Sequence, residues 1–313
     1  MAYTAYKLSF TTGLHIGQDY GRASLDDSRM TLHSDTLFSA LCCEAVKKGK
    51  LFELSEYFFQ DILAISDTFP YREQELFLPK PIIYLGNHKR EGDPGLRKKL
   101  KSLEYIPLSL FEDYLRELKG GGLDLEKLEQ EFGSLTVVTK AAVTGQEQTR
   151  PYHQAIWRFA PSCGLYFILR SREASAQTLF LEILTELSLS GVGGKQSAGL
   201  GKFKVEEIPV PKELAELLEN EKAPWQILLG TALPKDEELE EALFGGWYAL
   251  IRRGGFVRSD HYGDRQLKKR TIYMLAPGSC LKKRFTGGFF DLKGHGAHPV
   301  WRLGKTLFAG VNL

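Results

Sequence analysis

Cysteine is scarce: four in 313 residues, with Cys42 and Cys43 adjacent and Cys163 and Cys280 alone. That spacing excludes a disulfide framework and a C-x-x-C metal or redox motif. The opening Met1-Ala2-Tyr3-Thr4-Ala5-Tyr6-Lys7 lacks a basic and then apolar leader, so a reduced, cytoplasmic setting is expected. No apolar run approaches the roughly 20 residues that span a bilayer, so no membrane partner is expected. No Asp, Glu or His cluster has metal-ligand spacing, and neither metal nor cofactor is expected. Net charge is also nearly absent, since 41 Lys and Arg against 39 Asp and Glu leave +2. A uniformly basic nucleic-acid coat is thereby excluded, although a local binding face is not.

What is present is an ordinary globular mixture, 43% hydrophobic and 26% charged, long enough for two domains with cores of their own. The charge is polarised along the chain. Residues 252–313 carry 13 basic and 3 acidic side chains, a local +10, whereas 205–244 carry 11 acidic and 3 basic ones. Pairs and triplets recur at Arg252-Arg253, Lys268-Lys269-Arg270 and Lys282-Lys283-Arg284, and such a field steers a polyanion or an acidic protein. A further basic cluster at 97–101 follows turn-forming residues and reads as loop.

Tyr6, Leu8 and Phe10 alternate with Lys7 and Ser9, which predicts a half-buried strand over 4–10. A loop with His15, Gly17 and Gly21 leads to Ser34 or Asp35 as helix N-cap, then to the stripe Leu37, Phe38, Leu41, Ala45, closed by Lys47, Lys48 and Gly49. Short apolar runs over 61–84 predict strands that Pro70, Pro79 and Pro81 confine to edges or ends. Residues 108–118 have helical spacing, broken by Gly120-Gly121-Gly122. Candidate strands at 135–143 and 152–159 flank a polar tip and form a long hairpin. The apolar run 165–169 suits a central strand, and Leu179, Ile183 and Leu187 mark an amphipathic helix. Strands at 205–210, 225–229, 248–251 and 271–275, with a helix at 234–244, complete a split βαβ order. The fold class expected is therefore α+β, with two ferredoxin-like, RRM-like domains at 1–160 and 161–313.

The most informative segment is Gly191-Val192-Gly193-Gly194-Lys195-Gln196-Ser197-Ala198-Gly199-Leu200-Gly201-Lys202-Phe203. Five glycines in eleven residues leave the backbone open to close approach, while Lys195, Gln196, Ser197 and Lys202 supply donors. It is not a P-loop, because Gln196 follows Gly194-Lys195 where Ser or Thr is required, and it follows a helix, unlike the dinucleotide fingerprint. The simpler reading is a helix C-cap and tight turn, which Gly191 alone could serve.

That loop, the first strand, His15-Ile16-Gly17, the helix opening His33-Ser34-Asp35-Thr36-Leu37-Phe38-Ser39-Ala40-Leu41 and the tail His298-Pro299-Val300-Trp301-Arg302-Leu303-Gly304 together resemble the RAMP superfamily of CRISPR proteins. Within it the chain is most similar to the fourth-subunit family of type III-A (Csm) effector complexes. The resemblance implies two ferredoxin-like domains, a β-hairpin thumb at 135–159, and a scaffold that is not an enzyme. It implies a subunit that caps the 5′ repeat-derived tag of the CRISPR RNA between the large signalling subunit and the first backbone RAMP subunit. Carried onto this chain, the RNA-binding residues are His15, Gly17, His33, Ser34, Gly191, Gly193, Gly194, Lys195, Gln196, Ser197, Gly199 and Gly201, with Arg150, Tyr152 and Trp157 on the thumb. Because some RAMP relatives cleave RNA, the alternative is a metal-independent endoribonuclease that processes repeat RNA with His15 or His33 as general base. A protein adaptor whose basic tail meets an acidic partner is a third reading.

Overall fold

The computed structural model describes residues 2–17, 25–83, 102–119, 128, 130–142, 150–259 and 267–313. The loop expected over 86–101, the glycines at 120–122 and the hairpin tip lie outside the described residues.

The chain opens with β1 (Ala2–Phe10), α1 (Ser34–Lys47), α2 (Leu51–Phe59), β2 (Leu63–Ile65), β3 (Phe69–Arg72), β4 (Glu75–Pro79), β5 (Tyr105–Pro107) and α3 (Phe111–Leu118). The hairpin β6 (Gly133–Ala142) and β7 (Arg150–Phe159) follows, then β8 (Cys163–Ser171), α4 (Ala174–Ser190) and β9 (Phe203–Pro209). Apart from β6–β7, which form a two-stranded sheet of their own, these strands form one antiparallel sheet in the order β5-β4-β3-β8-β1-β9, with β2 also on β8. β1 pairs with β8 from Ala2↔Ser171 to Leu8↔Leu165 and with β9 from Thr4↔Pro209 to Phe10↔Phe203. Pro70 lies beyond the β3–β4 pairing and Pro79 ends β4, positions where a missing N–H is tolerated.

Both faces of this sheet are covered. Tyr6, Leu8, Leu165, Phe167 and Leu169 point to one side and pack against Leu37, Phe38 and Leu41 of α1, Phe58 of α2 and Phe180, Ile183 and Leu187 of α4. Ala5, Tyr166 and Ile168 point to the other side, where they meet Tyr114 of α3 and Leu214 and Leu218 of the next helix. A strand buried on both faces suits an unbroken apolar run, as 165–169 supplies; β1, expected to be half-buried, is covered on both faces over residues 5–8, with the Lys7 ammonium donating to the Glu73 carbonyl (2.9 Å) and Gln74 Oε1 (3.2 Å).

The remainder comprises α5 (Lys212–Glu219), β10 (Trp225–Leu228), α6 (Leu239–Leu243), β11 (Leu250–Arg253), β12 (Ile272–Leu275), β13 (Cys280–Leu281), β14 (Phe289–Asp291), β15 (Trp301–Leu303) and β16 (Phe308–Val311). β10 sits between β13 and β16, while β11–β12 and β14–β15 are separate ribbons. The division expected at 160/161 therefore falls inside one sheet, since β8 and β9 pair with β1 and leave the later strands to their own sheets. Periodicity identified these strands but carries no information about their hydrogen-bonding partners. The helices α2 and α5 were not anticipated, because short apolar or acidic segments give weak periodic signals. No described helix is long and apolar enough to cross a membrane.

Candidate nucleic-acid interface

The start of α1 is built by a residue distant in sequence. Ser34 and Asp35 are not its caps: His33 occupies the N-cap with extended backbone and no side-chain cap. Asp67 does the capping. Its Oδ1 accepts the N–H groups of Ser34 (2.7 Å) and Thr231 (2.8 Å), and its Oδ2 accepts His33 Nδ1 (2.6 Å) and Thr231 Oγ1 (3.1 Å). A buried carboxylate at a helix N-terminus, fully hydrogen-bonded, thus ties α1 to the segment after β10. Arg29 Nη1 lies 3.1 Å from His33 Nε2. Since a guanidinium can only donate, Nε2 is the acceptor.

The glycine loop is folded chiefly against its own protein. Gly191 is the C-cap of α4 at φ 88°, with its N–H on Leu187. Gly194 N–H donates to the His15 carbonyl (2.8 Å), Gly201 N–H to Gly13 (2.9 Å), and Val192 N–H to Gly201 (2.9 Å). A Cβ at Gly201 would overlap the Val192 carbonyl, and one at Gly193 would press on that of His15. Only Gly199, at φ +82°, has open space around it among these five. The C-cap reading therefore holds for Gly191, while at Gly193 and Gly201 the missing side chains let backbones meet. The N–H groups of Gly193, Lys195, Gln196 and Ser197 have no partner among the described residues. Lys195, itself left-handed at φ 58°, places Nζ 5.4 Å from the centre of the Tyr152 ring.

A cleft of about 250 Å³ brings three distant segments together. One side is the glycine loop with Gly17, another is the start of α1 with His33, and the third is the basic C-terminal part. Its lining holds five cations, Arg29, Arg253, Arg258, Lys269 and Arg302, against the single carboxylate of Asp35. Asp35 is fully buried and receives Arg253 through Nε (3.0 Å) and Nη2 (2.9 Å) as well as Arg302 Nη1. Burial alone would raise the Asp35 carboxyl, but the two guanidiniums outweigh it and hold it far below the usual carboxylate range.

The residues anticipated from sequence divide into two groups. Gly17, His33, Gly193, Gly194 and Gln196 line the cleft, with Lys195, Ser197 and Gly199 on the same loop. His15 (4% exposed) and Ser34 (0%) are packed inside. His15 Nδ1 donates to the Ala155 carbonyl (2.8 Å), and Ser34 Oγ donates to that of Thr231 (3.3 Å). Both hold the frame and present no side-chain face to a ligand. The expected hairpin is present, paired from Gly133↔Phe159 to Ala142↔Arg150. Trp157 sits at its root, packed against the core, with backbone bonds to Leu14 in both directions (2.7 and 2.8 Å). Tyr152 lies further out, and the Arg150 side chain lies outside the described residues. Arg29, Arg258 and Lys269 were not picked out individually, although the charge excess in 252–313 pointed to that part of the chain.

A family model described as the CRISPR Csm4 C-terminal domain matches residues 221–311. The chain is 33% identical over 298 residues to the CRISPR system Cms protein Csm4 of Mycobacterium tuberculosis, covering 93% of this chain and 94% of that protein. To the Csm4 of Streptococcus thermophilus it is 31% identical over 315 residues, with 98% of each covered. Its fold is similar to a chain in the crystal structure of a Csm3-Csm4 subcomplex of the type III-A CRISPR-Cas interference complex (TM-score 0.68, 16% identity, 99% and 100% covered). It is also similar to a chain in a Csm1-Csm4 cassette bound to cA4 (TM-score 0.61, 20% identity, 99% and 98% covered).

Proposed function

The chain belongs to the Csm4 family of type III-A CRISPR RAMP proteins, and from that premise we propose that it is a non-catalytic, RNA-binding subunit of a Csm effector complex. In this reading it caps the 5′ repeat-derived tag of the CRISPR RNA and joins the large subunit to the first backbone subunit, in the cytoplasm. The observation that carries the reading is the cleft, where Gly193 and Gln196, whose N–H groups have no partner among the described residues, share one lining with an excess of cations, as phosphate-backbone recognition requires. Gly17, His33, Gly193, Gly194, Lys195, Gln196, Ser197 and Gly199 are the contacts proposed, and His15, Ser34, Gly191 and Gly201 hold them in place. The hairpin β6–β7 would be the thumb, with Tyr152 toward the RNA.

The order β3-β8-β1-β9 with α1 and α4 on one face supports reading 2–209 as one ferredoxin-like unit, the remainder forming the second. Solved Csm1-Csm4 and Csm3-Csm4 assemblies of similar fold support a bridging role. Exposed Phe244, Trp247, Tyr248, Leu250 and Tyr273 offer apolar surface for a protein neighbour. The nuclease alternative finds less support: the His33 nitrogen that a general base would use accepts from Arg29, and the His15 ring is buried.

In the assembled complex the chain should crosslink to the 5′ end of the guide RNA, and crosslinks confined to the 3′ end would remove the capping role. Lys195→Ala should weaken RNA binding and lower the magnitude of the log K against log salt slope by about one unit. An unchanged slope would take Lys195 off the contact list. Repeat RNA incubated with the protein in EDTA should stay intact, and products ending in a 2′,3′-cyclic phosphate that vanish in His33→Ala would establish the nuclease reading instead.

A further inference from the structure

The third side of the cleft has a chemistry of its own. In the connection between β11 and β12, Phe256 bridges to Lys268 and leaves its ring 43% exposed on the cleft. Lys268 Nζ stands 5.5 Å from the ring centre. Lys269 is the opposite case, a half-buried cation with no ion-pair or hydrogen-bond partner for its ammonium among the described residues. The cleft's one acid cannot serve it, because both oxygens of Asp35 are occupied by Arg253 and Arg302. Arg258 stands exposed beside it on the same lining. A desolvated positive charge without a counter-ion is unfavourable until an anion arrives. An aromatic ring next to such a charge suits a base attached to a phosphate.

Given the RNA-binding role proposed above, on which this assignment rests, we infer that Phe256, Arg258 and Lys269, which flank β11 and β12 on the cleft, form a nucleotide seat: one base of single-stranded RNA stacks on Phe256 while an adjoining phosphate is held by Lys269 and Arg258. Stacking and charge pairing tolerate any base, so the seat detects an unpaired strand without reading its sequence. The RNA is thereby gripped between the N-terminal glycine loop and the C-terminal part of the chain.

Lys269 gives this seat a signature. Burial, with help from Arg302 and Arg253, pushes its ammonium down to about 8, opposed by Asp35 and Cys43; Arg29, His33 and Arg258 face the same cleft. A bound phosphate favours the charged lysine, so the ammonium is held at a higher value in the complex than in the free protein. Affinity is then full below the free value and falls as pH rises through it. Lysines in ordinary surroundings titrate near 10.4, so phosphate contacts elsewhere leave this range flat.

The test is the affinity of the full chain for a labelled single-stranded RNA oligonucleotide at constant ionic strength, from neutral to moderately alkaline pH. Wild type should weaken by up to about tenfold per pH unit above the Lys269 value. Lys269→Arg should bind well with a flat profile. Phe256→Ala should lose roughly 5- to 150-fold at every pH, and Phe256→Trp should restore binding. Arg and Trp at these positions keep charge and ring, so their behaviour separates a lost contact from a lost fold. A flat wild-type profile, or an unchanged affinity in Phe256→Ala, would overturn the seat while leaving RNA binding intact. Photo-crosslinks from position 256 to a protein subunit alone would do the same. If wild type binds no RNA, free or in its complex, the RNA-binding reading fails first.

Discussion

Asp35→Ala should lower the free energy of unfolding by about 3–5 kcal/mol, because it strands the buried guanidiniums of Arg253 and Arg302 without their counter-ion. The loss appears as a drop in the urea midpoint with an unchanged m-value. Asp35→Asn should lose nearly as much, since it keeps the shape and removes the charge. Arg302 also donates to the Gly254 carbonyl (3.0 Å) and Arg253 to Thr36 Oγ1 (2.7 Å), so the two guanidiniums position the end of β11 and the cleft side beyond it. Replacing all three ionic groups by apolar residues of similar volume should recover much of the stability. Asp35 is held below its unfolded value, so its contribution is complete above the ordinary carboxylate range and declines as pH falls through and below that range. The difference between wild type and Asp35→Ala should therefore narrow in acid; a gap that stayed constant there would mean that the hub acts through packing alone.

The second large effect belongs to Gly201→Ala. Gly201 has φ +79°, a Cβ there would overlap the Val192 carbonyl, and its own N–H and carbonyl hold Gly13 and Val192. Strain of about 1–3 kcal/mol is expected from the backbone conformation, with displacement of the loop in addition. The variant should lose more than tenfold in RNA affinity even where it remains folded. Gly199→Ala provides the contrast. Its φ of +82° carries a similar strain, but nothing lies within 4 Å of the added methyl. A loss of RNA affinity at Gly199 larger than its loss of stability would mark direct contact with the nucleic acid, and parallel losses would mark a conformational role.

The comparison of these glycines shows what a single sequence can carry. A cluster of five announces that backbones come close, but does not say to what, and here most of the closeness is to Gly13, His15 and Val192. The strands β1 and β8, the helices α1 and α4 and the β6–β7 hairpin were legible because each writes a period or a pair of turns into adjacent residues. Asp67 and Asp35 were not, since their importance lies in partners such as Thr231, Arg253 and Arg302 that chain order does not reveal. The charge excess of 252–313 was visible, but its arrival at the cleft beside His33 depends on how β10 and its neighbours cover the first sheet. The pairing of β8 and β9 with β1 was hidden for the same reason, because strand pairing is a relation between distant segments.

That pairing has a consequence during synthesis. β1 leaves the ribosome long before its partners, since its two ladders need Leu165 for Leu8 and Phe203 for Phe10. At ~5–20 residues per second the gap lasts roughly ten to thirty seconds, during which a strand with apolar side chains on both faces has neither neighbour. High contact order of this kind slows folding and leaves nascent chains open to promiscuous β-pairing. Chaperone dependence and inclusion-body formation on rapid overexpression are the cellular behaviour this topology predisposes to.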